Sequence, residues 1–125
     1  MKIPDTLYYS NEHLWVSPSA DGEWLAGITD YAQDLLGDIV FVDAPKPGTQ
    51  LQAGTPCGLV ESVKTGSDLH APLNGTVTTV NSSLGDYPEQ INDDCYKAWI
   101  FKFNPADAAE LSRLLSAEGY RSLLG

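Results

Sequence analysis

Much of what a catalytic or metal site needs is scarce in this sequence. Two cysteines, Cys57 and Cys95, stand among 125 residues. They are too few for a disulfide scaffold or a cysteine-rich zinc site. Cys57 lies in the apolar run Cys57-Gly58-Leu59-Val60 and is expected to be a small buried hydrophobe, and Cys95 a reduced thiol in a polar loop. The two histidines, His13 and His70, lack the spaced partners of a metal or acid–base site, so structural or surface roles are expected. Basic residues number only 7 against 17 acidic ones, a formal net charge of −10. That excludes nucleic acid, whose phosphates need clustered lysine and arginine, and an acidic membrane surface would repel the chain. No apolar run approaches the roughly 20 residues of a membrane-spanning helix. No Ser/His/Asp arrangement and no phosphate-binding glycine loop is present.

What is present suits a folded domain. Apolar residues make up 42%, with three Trp and six Tyr, which supports a packed core and argues against disorder. The length predicts one domain over 1–125, large enough to fold without disulfides or metals. The acidity serves solubility, or it suits partners with basic surfaces. Met1-Lys2-Ile3-Pro4-Asp5 has neither a hydrophobic signal region nor a basic amphipathic leader. The expected setting is bacterial cytoplasm, or the mitochondrial matrix for a matured eukaryotic form.

Short apolar runs alternate with turn signals. Leu14-Trp15-Val16 predicts a strand, Asp21-Gly22 a turn, and Glu23 to Ile28 the returning strand. Thr29 to Gly37 predicts a short helix near 30–36, capped by Thr29 or Asp30 and ended by Gly37. Strands are predicted at Asp38–Val42, Pro56–Val63, Ser67–Ala71, Thr76–Asn81 and Ala98–Phe103, with a helical piece around Glu89–Ile91. Asn104-Pro105 is expected to open a helical tail over about 105–124. Ala108, Leu111, Leu114 and Leu115 share one face there, and Ser116 caps a second short helix through Leu123. Trp15, Trp24 and Trp99 are expected core aromatics. The sum is a mostly-β sandwich or barrel over about 7–103 with helical additions.

The informative stretch is Gly58-Leu59-Val60-Glu61-Ser62-Val63-Lys64-Thr65-Gly66-Ser67-Asp68-Leu69-His70-Ala71-Pro72. Strand residues stop at one lysine and then resume. Gly66 is expected to supply the positive φ of a tight turn and so to push Lys64 into solvent at the tip. There a modifying enzyme reaches it, and a group on its four-carbon stem sweeps a wide arc. Gly48 lies sixteen residues before Lys64 and Gly75 eleven after it, both in turns, which suggests two similar halves around a central hairpin.

Gly27-Ile28-Thr29-Asp30-Tyr31-Ala32-Gln33, Leu36-Gly37-Asp38-Ile39-Val40-Phe41-Val42 and Val60-Glu61-Ser62-Val63-Lys64 together resemble the H protein of the glycine cleavage system. The likeness runs from about Tyr8 to Leu124. It implies a lipoyl-domain-like barrel–sandwich hybrid with added helices, and a lipoyl group in amide linkage to Lys64. It further implies that the arm accepts an aminomethyl group at a pyridoxal-phosphate-dependent glycine decarboxylase and presents it to a tetrahydrofolate-dependent aminomethyltransferase. A flavin-containing dihydrolipoyl dehydrogenase would then reoxidise it. The chain itself would be a non-catalytic carrier. Glu61, Ser62 and Asp68 become candidates for recognition by those partners and by a lipoate-attaching enzyme. The family commonly reads His-Glu-Trp where this chain has His13-Leu14-Trp15, and the acid there lines a cleft sheltering the loaded arm. Glu12, two places before Leu14, and Asp68 are the candidate replacements. A second departure is Ala98 before Trp99, where a glycine is usual.

Other readings share these residues. The same lipoyl-lysine would serve a donor passing lipoyl groups to other enzymes. A biotin carrier is disfavoured because Val63 and Thr65, not methionines, flank Lys64. An imine-forming enzyme using Lys64 with Glu61 as base would need an apolar wall to depress the lysine pKa. A binding module with a bare lysine is the fourth.

Overall fold

The computed structural model describes all residues, 1–125. Nine strands form in chain order: β1 Tyr8–Tyr9, β2 Leu14–Ser17, β3 Trp24–Ile28, β4 Ile39–Asp43, β5 Gln50–Leu51, β6 Pro56–Ser62, β7 Gly66–His70, β8 Gly75–Val80 and β9 Phe101–Pro105. Helix α1 spans Asp30–Leu36, α2 Ser83–Asp86, α3 Gln90–Asp93 and α4 Ala117–Leu124, with a 3-10 turn at Ala108–Arg113. Two antiparallel sheets result, one in the order β1-β2-β3-β9-β8-β5 and one in the order β4-β6-β7. The sheets are unequal, six strands against three, and Gly75 opens β8 instead of lying in a turn.

Alternation explains the packing. In β2, β3 and β9, Leu14, Val16, Trp24, Ala26, Ile28, Phe101 and Phe103 face a cluster of 20 buried residues that Val60 and Leu69 of the smaller sheet complete. Fully burying side chains of this size contributes about 1.5–3 kcal/mol each. A second cluster joins Tyr9, Trp15, Ala117 and Tyr120 and so seats α4 against β1 and β2. Trp99 lies only partly buried beside it, with the Lys102 ammonium 5.2 Å from its ring, so two of the three tryptophans are core residues.

The chain end departs from expectation. Pro105 ends β9 instead of opening a helix: Gly75 pairs with it, and Pro105 needs no N–H on that side of the ladder. Asp107 caps the 3-10 turn through the Ala109 amide, Ser116 caps α4 through the Gly119 amide, and Leu115 between them bridges in extended form to Tyr9. Leu111, Leu114 and Leu115 therefore share no single helix. Cys95, expected in a polar loop, is buried, and Cys57 is half-buried. Burial pushes the Cys57 thiol up to about 11 and the Cys95 thiol up to about 12. No helix is long and apolar enough to cross a membrane.

Gly75 sits where β8 and β9 approach so closely that an added Cβ would collide with the Asn104 carbonyl oxygen. Gly75→Ala is expected to destabilise the fold by about 1–3 kcal/mol, the usual cost of forcing extra volume into a packed site. Denaturant unfolding checks this.

Candidate functional site

Strands β6 and β7 form a hairpin paired as far as Glu61 with Gly66, and the four residues Ser62-Val63-Lys64-Thr65 make the turn. Lys64 is exposed at its tip. No residue from Val63 to Gly66 has a positive φ, so Gly66 does not act as expected; it opens β7. The turn is held by Ser62 instead. Its backbone N–H donates to the Thr65 carbonyl at 2.7 Å. Its hydroxyl accepts from the backbone N–H of Lys64 at 3.2 Å and of Thr65 at 3.1 Å, and donates to the Thr65 carbonyl at 3.1 Å. Ser62 is 9% exposed, so these partners replace water that the turn would otherwise need.

The tip is also tied to α1. The Val63 N–H donates to the Asp38 carbonyl at 3.0 Å, just past the end of α1. Gly37 ends α1 with φ 81° and is bare enough for the Lys64 stem to lie over it: a Cβ at Gly37 would stand 3.1 Å from Lys64 Cε. The Lys64 ammonium has no ion-pair partner.

Behind the tip lies a cavity of about 120 Å³ between α1, β2 and the hairpin. Leu14, Ile28, Leu36, Val60 and Leu69 make its apolar wall, and exposed Leu35 stands at its edge. Glu12 and Asp68 both border it. The structure thus brings those two candidate acids together, while Leu14 is 1% exposed in the wall. Glu12 is also engaged: its Oε2 lies 3.0 Å from Nδ1 of His70, two residues beyond Asp68 on β7. Both partners are about a third exposed, so the pair contributes under about 1 kcal/mol. Glu61 is exposed on the outer face of the smaller sheet, with its Cγ stem alongside Gly66, and does not enter the cavity.

His13, read as a surface or structural residue, lines the cavity and carries the chain's only positive non-glycine φ, 70°. Its Nδ1 lies 2.7 Å from the Tyr120 hydroxyl, which lies 2.7 Å from the Thr29 hydroxyl, which accepts from the Ala32 N–H and caps α1. A neutral ring satisfies this chain: Tyr120 donates to Nδ1 and Thr29 donates to Tyr120. Burial holds His13 below its usual 6.5, with Glu12 pulling the other way. No group of three or more His, Cys, Asp or Glu side chains is placed to hold a metal.

The glycine cleavage H-protein family model matches residues 7–125. The chain belongs to that family. It is 67% identical over 125 residues, the full length of both chains, to a glycine cleavage system H protein of Methylobacillus flagellatus. To that of Nitrosomonas europaea it is 51% identical over 124 residues, 99% of this chain and 96% of the relative. The crystal structure of the H protein from Mycobacterium marinum matches 98% of this chain and 99% of its own, with TM-score 0.88 and 40% identity. The barrel–sandwich fold expected of glycine cleavage H-proteins is therefore the fold observed. Family membership makes the chain a lipoyl-carrier subunit of the glycine cleavage system.

Removing the Ser62 hydroxyl leaves the Lys64 and Thr65 amides without their partner. Ser62→Ala is expected to cost about 1–3 kcal/mol for groups left unsatisfied, and to speed hydrogen exchange at those two amides first. NMR exchange and denaturant unfolding read both. For His13, the unfolded chain takes its proton near 6.5, before the folded chain does. Its contribution is thus full above about 6.5 and lost as pH falls toward the lowered folded value. The stability lost between pH 7 and pH 5 is expected to be smaller in His13→Gln than in the unsubstituted chain, compared by unfolding at both pH values.

Proposed function

We propose that Lys64 is the lipoyl attachment site and that the loaded arm carries the aminomethyl group of glycine from the pyridoxal-phosphate-dependent decarboxylase to the tetrahydrofolate-dependent aminomethyltransferase, to be reoxidised by dihydrolipoyl dehydrogenase. One observation carries the reading: an unpaired, exposed lysine stands at the tip of a turn fixed by Ser62, beside an apolar cavity bordered by two carboxylates. These residues fit the group. An amide at Nζ strands no ion pair, the turn presents the stem at the surface along Gly37, and the cavity wall is apolar enough for a dithiolane ring.

When bound, the lipoyl group supplies a ring disulfide that takes up a carbon fragment and electrons, which no standard side chain offers. The chain supplies position. Ser62 fixes the direction in which the arm leaves, and tethering raises its effective concentration at each partner. Leu14, Val60 and Leu69 keep water from one side of the cavity, while Glu12 and Asp68 present negative charge to a cationic amine at its border. In this family member Glu12 and Asp68 stand in for the acid that Leu14 replaces. The whole chain, 1–125, works as one carrier domain in the bacterial cytoplasm, a setting supported by its bacterial relatives.

Intact mass of protein from its native host is expected to show one added lipoyl group, localised by peptide mapping to Lys64. Lys64→Arg is expected to abolish the adduct and glycine decarboxylation with the partner enzymes, while leaving unfolding unchanged. An adduct-free host protein, or an active Lys64→Arg variant, refutes the assignment.

A further inference from the structure

Around Lys64 the surface carries exposed apolar and acidic residues, of which only Leu35 and Asp68 also border the cavity. Between Ile39 and Phe41 the register of β4 against β6 slips by one residue: Ile39 pairs with Ser62 and Phe41 with Glu61. This bulge lies abreast of the start of the tip, and it leaves two neighbouring residues exposed, Val40 at 52% and Phe41 at 50%. Without it, alternation would send one of them inward. Val63 at the tip is 68% exposed and Leu35 on α1 is 58% exposed. Four of the seven large hydrophobics exposed on this chain therefore fall within one turn or one strand of Lys64.

The charge around them is of one sign. Asp34, Asp43, Glu61 and Asp68 are exposed on these same elements, and Asp38 is exposed in the turn between α1 and β4. No lysine or arginine other than Lys64 occurs in α1, β4, β6, β7 or the turns joining α1 to β4 and β6 to β7. An apolar centre inside a ring of acids fits a partner whose own apolar centre is ringed by lysine or arginine.

We infer that the Val40–Phe41–Val63 face is the docking surface of the enzyme that acylates Lys64, and that its partner presents a basic rim. The inference rests on Lys64 being the attachment lysine. Reach selects this occupant. Enzymes that work on the far end of an attached arm meet it at a distance from the tip. The acylating enzyme must form a bond to Nζ itself and so must cover the tip. Nζ has to attack as a neutral amine. It bonds to the carboxyl carbon of an activated lipoyl donor, a mixed anhydride or thioester, as the bond to the donor's leaving group breaks. The surplus proton on nitrogen passes to a base of the acylating enzyme. A partner that covers Val40, Phe41 and Val63 excludes water from Nζ, and a basic rim offsets the negative charge of Glu61 and its neighbours; both changes favour attack by a neutral amine in the complex.

The test measures acylation of the full apo-chain by a lipoate-attaching enzyme from intact mass against time. Phe41→Ser and Val63→Ser, checked for folding by circular dichroism, are compared with Leu123→Ser, an exposed leucine on α4. Both face variants are expected to lose kcat/KM by about tenfold or more, as for an apolar anchor at an interface centre, with Leu123→Ser unchanged. Added salt is expected to slow the wild-type reaction. Once fully acylated, the face variants are expected to be reduced and reoxidised by dihydrolipoyl dehydrogenase at the wild-type rate. Wild-type acylation rates in either face variant overturn the inference. So do an equal loss in Leu123→Ser or a parallel loss at the dehydrogenase. A wild-type chain that acquires no lipoyl group overturns the Lys64 assignment itself and this inference with it.

Discussion

At the hairpin tip a single buried hydroxyl does what a left-handed glycine does in many two-residue turns. The Ser62 Oγ gathers the Lys64 and Thr65 amides and returns its own proton to the Thr65 carbonyl, so the chain reverses with every residue in ordinary backbone territory. That frees the two central positions, Val63 and Lys64, to carry long side chains outward. The second tie, from Val63 to the Asp38 carbonyl, fixes the tip against the end of α1, where Gly37 leaves room for the lysine stem. A lysine on a loose loop would be equally exposed but would leave the surface in no fixed direction. Here exposure and rigidity coexist because the polar groups of the turn bond inward.

The larger sheet and the C-terminal helix serve that arrangement from a distance. Tyr120 stacks on Tyr9 at 4.8 Å between ring centres and places its hydroxyl between His13 and Thr29. One side chain from the end of the chain thus ties a cavity-lining loop to the N-cap of the helix that forms the opposite wall. The tail is part of the site's frame, although it contributes nothing to the tip.

Legibility followed the range of the interactions involved. The β2–β3 hairpin, α1 with its Thr29 cap and Gly37 end, and the β6–β7 hairpin around Lys64 were all readable, because each depends on residues a few positions apart. Strands β1 and β5, two residues long, carry no period and exist only through distant partners, Val16 and Trp15 for one and Thr76 and Gly75 for the other. Pro105 looked like a helix start because the local rule for proline is the same at a helix N-terminus and at a strand end; β8 decided the matter. At the site, Lys64 announced itself through an interrupted strand pattern. Ser62 belongs to the same motif, but its hold on the turn has no local signature, because turn rules point to Gly66. The role of His13 is not legible locally, because its partners, Tyr120 and Thr29, lie 107 and 16 positions away and no spacing in the sequence joins them. The bulge at Val40 had no local signal: alternating and bulged strands share the same composition.

The two cysteines bear on redox chemistry. Thiol–disulfide exchange proceeds through the thiolate, and burial keeps both thiols protonated, at about 11 for Cys57 and about 12 for Cys95. Cys57 stands near the start of β6, seven residues from Lys64, so at strand rise the two are separated by roughly 20 Å. On the proposed reading, in which a strained disulfide is carried on this surface, the burial that keeps both thiols protonated disfavours exchange within the chain and leaves it to another molecule.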